Sequence, residues 1–487
     1  MSRNIHGMIL QRRRYSEDFQ RLFAGLSGDY NPMHIDAVAA RRTLVGDRAI
    51  HGIHQTLAAL EALLARFARQ GRSDRSITGF KAQFLKPVLV GDVVALHLTR
   101  LTDETCLITG RIAGEIVCRV SIQFGAIPPM AETGLPPLPQ EPVTELAFAE
   151  ITGKTGRLTL GLDAPLARQL FPLTTAMIGT GRMAATLALS RLAGMHCPGL
   201  HSIFAEVAVR YDGTDASDAL HYRVEETDAR YSRVGLAVHG ARLQGQLVVF
   251  FRPPPQPQPG MADVMRVVEP GRFAESAALI VGGSRGLGEV TAKIIAAGGG
   301  LPIITYHQGA ADAEKVVEDI RSQGGRCEMM RLNVQSCQQA VRRLAKSRKG
   351  LRSLYYFATP KIPGRQRGFF NHDMLHQFNE IYVTAFGRLI DAAAEACPTK
   401  LRVFYPSSVM VTEGMDKMEE YIMAKRLAEE MCSFYNQNSR KLEIIVERLP
   451  RTKTDQTNSI IPLPAGDALE VMLPLVRRME SFTRVSA

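Results

Sequence analysis

The sequence predicts an α+β portion followed by an α/β, doubly wound parallel sheet. Three observations point there. Beyond residue 277, short apolar strands alternate with helical patterns, and a glycine-rich turn joins the first strand to the first helix. Proline-rich spacers at 127–142 and 252–260 are semi-rigid linkers that cannot carry a sheet ladder. Ahead of the first spacer, one long helical pattern is followed by strand-like alternation. The segments that result are 1–126, 143–251 and 261–487.

At 487 residues the chain is too long for one ordinary core, and 45% hydrophobic with 22% charged residues describes a soluble globular protein. The seven cysteines form no C-x-x-C pair, so neither a metal site nor a disulfide framework is indicated, and a reducing, cytoplasmic compartment is expected. No apolar run reaches the ~20 residues of a membrane helix. The opening M-S-R-N-I-H-G lacks a signal-peptide core. The formal charge of +11 is spread along the chain without a nucleic-acid motif or a basic stripe. It reads as solvated surface, or as a field that attracts anionic substrates.

In the first segment, R-L-F-A-G-L-S-G-D-Y-N-P-M-H-I-D (Arg21 to Asp36) is followed by A-I-H-G-I-H-Q-T-L-A-A-L (Ala49 to Leu60). Asp29 and His34 bracket Asn31-Pro32, whose turn chemistry can bring both side chains to one point. A carboxylate and an imidazole there can share a water and shuttle its protons, as addition of water to an activated double bond requires. The plainer reading is an Asx turn with a capping Asp and a surface His. A helix from His54 to Arg69 carries Leu57, Leu60, Leu64 and Phe67 on one stripe, and Ile116, Cys118, Val120, Ile122 and Phe124 alternate along a strand. His51 and His54 read as structural residues.

Together, S-G-D-x-N-P-x-H and I-H-G resemble the MaoC-like, (R)-specific enoyl thioester hydratases of the hot-dog fold. The resemblance implies that Asp29 and His34 are the catalytic pair. It also implies that Gly52 opens the central helix and that its N–H polarises the thioester carbonyl. Residues 143–251 read as a weak repeat, since 176–189 can be laid over the Ala49 to Leu60 stretch with Gly179 on Gly52. The repeat lacks D-x-N-P-x-H. The expected arrangement is a double hot dog, one half competent and the other degenerate.

In the third segment, strand patterns at 278–282, 301–306, 327–332 and 352–358 alternate with helices at 286–299, 310–323 and 335–347. Gly282, Gly286 and Gly288, with Ser284, Arg285 and Leu287 between them, form a loop that permits close backbone approach. The helix behind it offers free N–H groups to a pyrophosphate. Further on, Ser408 lies at a strand end, and Tyr421 and Lys425 stand four apart on one helix face. A lysine charge beside a phenol lowers its pKa, so Tyr421 can exchange a proton with a substrate oxygen while Ser408 hydrogen-bonds the same atom. Taken alone, such a pair also arises as surface decoration.

The loop and the downstream trio together resemble the short-chain dehydrogenase/reductase family, with its Rossmann sheet. The resemblance implies catalysis by Ser408, Tyr421 and Lys425. Cofactor binding would fall to Gly282, Ser284, Arg285, Gly286, Leu287, Gly288, Asn333 and Val334, with Tyr421 and Lys425. The second strand ends I-I-T-Y-H-Q with no acid for a ribose hydroxyl, which with Arg285 implies NADP(H). The chain departs from the family at Phe357-Ala358-Thr359, at Tyr382 and at Pro450-Arg451, while Thr454 and Asp455 follow the pattern.

The two resemblances imply a bifunctional homodimeric enzyme of fatty-acid- or polyketide-like synthesis. It would reduce a 3-oxoacyl thioester of coenzyme A or acyl carrier protein with NADPH, then dehydrate the (R)-3-hydroxyacyl product to the trans-2-enoyl thioester. Alternatives are the same two steps run toward β-oxidation, or a working dehydratase beside a reductase-shaped scaffold.

Overall fold

The computed structural model describes residues 7–481 apart from 44, 72–74, 127–133, 139, 212–216, 349, 361, 363–369, 415–417 and 460–462. Part of the first proline-rich spacer thus lies outside the described residues. The chain divides into two compact units, residues 1–254 with 459–462, and residues 255–458 with 463–487.

Among its described residues the first unit holds ten strands in one sheet: β1 (Met8–Arg14), β2 (Ser76–Phe84), β3 (Val93–Leu101), β4 (Thr105–Ile112), β5 (Glu115–Gly125), β6 (Thr155–Thr159), β7 (Ser202–Tyr211), β8 (Ala219–Asp228), β9 (Arg233–Gly240) and β10 (Leu243–Phe251). Their order is β1-β3-β4-β5-β2-β7-β10-β9-β8-β6. Read from either edge to the centre, each set of five strands follows the same sequence of positions. The sets meet where β2 runs antiparallel to β7, with Phe80 opposite Val209 and Ala82 opposite Val207. A Cβ on Gly79 would strike the Val209 carbonyl, so glycine permits this close approach.

The helix Gly52–Arg69 buries Leu57, Leu60, Leu64 and Phe67 in one core with Phe80, Leu96, Ile108, Val120 and Ile122 of the sheet. Its counterpart, Pro172–Arg191, is interrupted at Gly179 (φ 77°, ψ 161°), a conformation that favours glycine. It then widens into a π turn, Leu192–His196. Glu61 ties the two helices together. Its carboxylate accepts the N–H groups of Leu173 (3.0 Å) and Thr174 (2.9 Å), donors that a helix start leaves without intrahelical partners.

The second unit is a six-stranded parallel sheet among the described residues: β11 (Ala277–Val281), β12 (Leu301–Tyr306), β13 (Glu328–Arg331), β14 (Leu351–Tyr356), β15 (Leu401–Ser408) and β16 (Leu442–Leu449). The order is β13-β12-β11-β14-β15-β16. Helices cover both faces, which is why β11 is apolar throughout. Ala278 and Ile280 pack with Val290, Ile294 and Met472, whereas Leu279 and Val281 pack with Leu354, Phe386 and Leu389. The strand order reverses between β11 and β14, and such a switch point opens a crevice at the carboxyl ends of the strands. Among the described residues, no helix is long and apolar enough to cross a membrane.

Candidate active sites

In the first unit, Gly28 ends the helix Glu17–Ser27 in the left-handed region (φ 71°) and turns the chain into Asp29. Asn31 then caps the short helix Pro32–Ile35, which carries His34. Asp29 and His34 are both buried. Ligand atoms of Asp29, His34 and His51 lie within 4.8 Å of one another. The convergence expected of the N-P turn is therefore present, and the surface-histidine reading fails because His34 faces inward.

Hydrogen bonding settles which nitrogen of each ring is available. His34 Nδ1 lies 2.7 Å from the Ala49 carbonyl, which can only accept, so Nδ1 carries the proton and neutral His34 keeps Nε2 as its basic atom. His51 Nε2 likewise donates to the Asp29 carbonyl at 3.0 Å. The His51 ring stacks on that of His34 with centroids 3.8 Å apart. Burial and the neighbouring His34 hold His51 well below the usual imidazole range, so it is neutral. Burial raises the Asp29 carboxyl, against His34, a hydrogen bond from Ser190 and the N–H of Asn31.

Gly52 is the first residue of its helix, directly after His51, and its N–H has no intrahelical acceptor. A Cβ there would collide with the Phe84 ring. His54 takes no part in the cluster. It stacks on Phe23 (4.5 Å) and is held neutral by burial.

Two residues near Asp29 escaped the sequence reading. Ser190 Oγ donates to Asp29 Oδ2 at 2.7 Å across 161 residues of chain, and a Cβ on Gly194 would overlap the same carboxylate. Neither belongs to a local motif, so the sequence carried no signal for them.

In the second unit, the glycine loop follows β11 at the switch point. Gly282 (φ 83°) and Gly286 (φ 58°) adopt left-handed backbone, and a Cβ on Gly288 would overlap the Gly282 carbonyl. Arg285 is the N-cap residue of the helix Gly286–Ala297. Ser284 and Leu287 are half-buried beside it. This cradle, open at a helix start, fits a pyrophosphate. Arg285 Nη1 lies 3.8 Å from Asp455 Oδ2. Asn333 caps the turn Val334–Ser336 after β13.

Ser408 ends β15, and the helix Glu419–Asn438 brings Tyr421 to it, with a hydrogen bond between their side chains. Ser408, Tyr421 and Lys425 are all buried. The lowering of the Tyr421 pKa by Lys425 that the spacing predicts does not occur. Burial raises Tyr421, and only the Ser408 hydrogen bond works against it. Lys425 Nζ instead donates to the Pro406 carbonyl at 2.7 Å and lies 4.0 Å from the Tyr382 ring centroid, against 5.9 Å from that of Tyr421. Burial holds Lys425 down to about 7. Tyr382 sits in a π turn, Glu380–Ala385, and its hydroxyl meets Thr359 Oγ1 at 2.6 Å.

Residues 7–106 match the family described as MaoC like domain. No curated protein matches the chain. Among solved structures, the chain is similar to a short chain dehydrogenase from Burkholderia cenocepacia in complex with NADP: 24% identity, 43% of this chain and 91% of that one, TM-score 0.38. A short-chain dehydrogenase/reductase from Serratia marcescens is similar at 20% identity over 44% and 95% of the two chains, TM-score 0.38. A 3-oxoacyl (acyl-carrier-protein) reductase from Agrobacterium tumefaciens with NADP bound is similar at 14% identity over 43% and 89%, TM-score 0.38.

Proposed function

We propose that this chain is a bifunctional enzyme that reduces a 3-oxoacyl thioester with NADPH and dehydrates the resulting (R)-3-hydroxyacyl thioester to the trans-2-enoyl thioester. The carrying observation is the buried cluster in which ligand atoms of Asp29, His34 and His51 lie within 4.8 Å of one another, with His34 Nδ1 committed to the Ala49 carbonyl and Gly52 directly after His51. In dehydration the Asp29–His34 pair takes the α-proton and returns a proton to the β-hydroxyl, which leaves as water; in hydration the pair takes a proton from water as its oxygen bonds the β-carbon and delivers one to the α-carbon. The Gly52 N–H takes the charge that develops on the thioester oxygen. Both sets of five strands are read as hot dogs, over 1–126 and 143–251, with the chemistry in the first.

For residues 261–487 we propose a short-chain dehydrogenase/reductase role. The glycine cradle supports a dinucleotide, and the lack of an acid at the end of β12 together with Arg285 supports NADP(H). Bound there, the nicotinamide would supply hydride to the carbonyl carbon. Tyr421 gives its proton to the carbonyl oxygen, which Ser408 also holds. Consecutive reactions on one chain raise the effective concentration of the intermediate. The substrates are acyl thioesters of coenzyme A or a carrier protein, the setting is cytoplasmic, and the assembly is a homodimer.

The test is incubation with NADPH and acetoacetyl thioester, followed by mass analysis. Hydroxyacyl and then enoyl product is expected, and absence of both overturns the proposal. One observation favours a second reading, a dehydratase beside a reductase-shaped scaffold: Lys425 is turned onto Tyr382 instead of Tyr421. Under that reading enoyl thioester is hydrated while NADPH is untouched.

A further inference from the structure

Asp29 is 2% exposed, and a carboxylate this deep resists ionisation unless donors face it. Its Oδ1 accepts the Asn31 N–H at 3.3 Å, and its Oδ2 accepts the Ser190 hydroxyl at 2.7 Å. Ser190 lies in the last turn of the helix Pro172–Arg191, within the set of strands and helices that lacks its own Asp/His pair. The π turn that follows presents Gly194 to the carboxylate without a side chain, and turns the Gly194 carbonyl toward Asn31 Nδ2 at 2.8 Å. Asn31 Nδ2 also reaches the carbonyls of Gly199 (3.2 Å) and Leu200 (3.3 Å). Both termini of the Asp29 to Asn31 turn are thus held by residues 190–200.

We propose that residues 190–200 form the far wall of the hydratase site, with Ser190 as the positioning residue that orients Asp29 and stabilises its ionised form. This rests on the proposed hydratase reading. The second five-stranded set then has a chemical role, since the first would leave Asp29 buried with one donor fewer. Gly194 is fixed by the same requirement, because any side chain there displaces the carboxylate.

Hydration needs Asp29 ionised and His34 Nε2 unprotonated to accept protons, so the acidic limb of the kcat/KM profile reports this pair. Removing a donor to the charged form raises the pKa. Ser190→Ala is therefore expected to move the acidic limb of crotonyl thioester hydration to higher pH and to lower kcat at neutral pH about tenfold, with KM changed less than about twofold. Ser190→Thr, which keeps the hydroxyl, is expected to return the limb toward wild type. Should Ser190→Ala fail to fold in a thermal melt, Ser190→Cys offers a weaker donor of similar size and is expected to shift the limb the same way. A folded Ala or Cys variant with the wild-type limb and rate overturns the role of Ser190 alone. A wild-type protein that hydrates no enoyl thioester overturns the hydratase reading, and this inference with it.

Discussion

Lys425 is buried, donates to the Pro406 carbonyl and lies nearest the rings of Tyr382 and Tyr405, with that of Tyr421 farther off, an environment that stabilises its charge only partly. Its pKa of about 7 makes charge on this residue depend on pH within the physiological range. Keto reduction that draws on the protonated amine is expected to fall as pH rises through about 7, because the depressed pKa leaves the amine neutral above it. Tyr421→Phe removes the proton donor and keeps the ring. It is expected to cost at least ~10²-fold in thioester-dependent NADPH oxidation while calorimetry shows unchanged NADPH affinity. Lys425→Met is expected to weaken both. A Tyr421→Phe variant as fast as wild type eliminates the acid role. The placement of Tyr421 and Lys425 on one helix was legible because four-residue helical spacing dictates a shared face, and Ser408 was legible as the end of a strand. The direction of Nζ was not, because it depends on Tyr382 and Pro406, which come from a different helix and strand.

At the scale of elements, the helix Ala468–Glu480 ends in a buried carboxylate. Glu480 accepts the Tyr355 hydroxyl at 2.7 Å and also the Ser276 hydroxyl, which joins the helix to β14 and to the residue before β11. Arg402 Nη1 closes the helix by donating to the Met479 carbonyl at 2.9 Å. Burial raises the Glu480 pKa in the folded state, despite these donors. The group therefore contributes stability that is complete below its unfolded pKa and lost as pH rises through the raised folded value. The urea midpoint of this unit, followed by hydrogen-exchange labelling of β14, is expected to drop as pH rises from mildly acidic to neutral. Glu480→Gln is expected to flatten that slope and to gain about 1 kcal/mol at its upper end. Equal slopes in both proteins assign the effect to other groups. The alternation of strands and helices was readable because each is a run of the right period. The π turns at Leu192–His196 and Glu380–Ala385 were not, since a widened turn keeps helical composition.

At the scale of the molecule, the two clusters belong to different compact units, and none of the residues proposed for hydration falls in the second. Asp29→Asn or His34→Ala is expected to reduce hydration of crotonyl thioester at least ~10²-fold and to leave NADPH oxidation by a 3-oxoacyl thioester at the wild-type rate. Parallel loss of both rates refutes this division of labour. The boundary between the units falls at Pro254, within the second proline-rich spacer, whereas the first spacer lies inside the first unit and marks no boundary between them; the D-x-N-P-x-H motif made the positions of Asp29 and His34 readable because the turn is local. The mirrored strand order was beyond reach, since it is fixed by the β2 to β7 pairing between residues more than a hundred positions apart. That pairing has a kinetic consequence. A peptide tether, not a collision between two molecules, delivers Ser190 to Asp29, so the encounter has no second-order term and dilution does not separate the donor from the carboxylate.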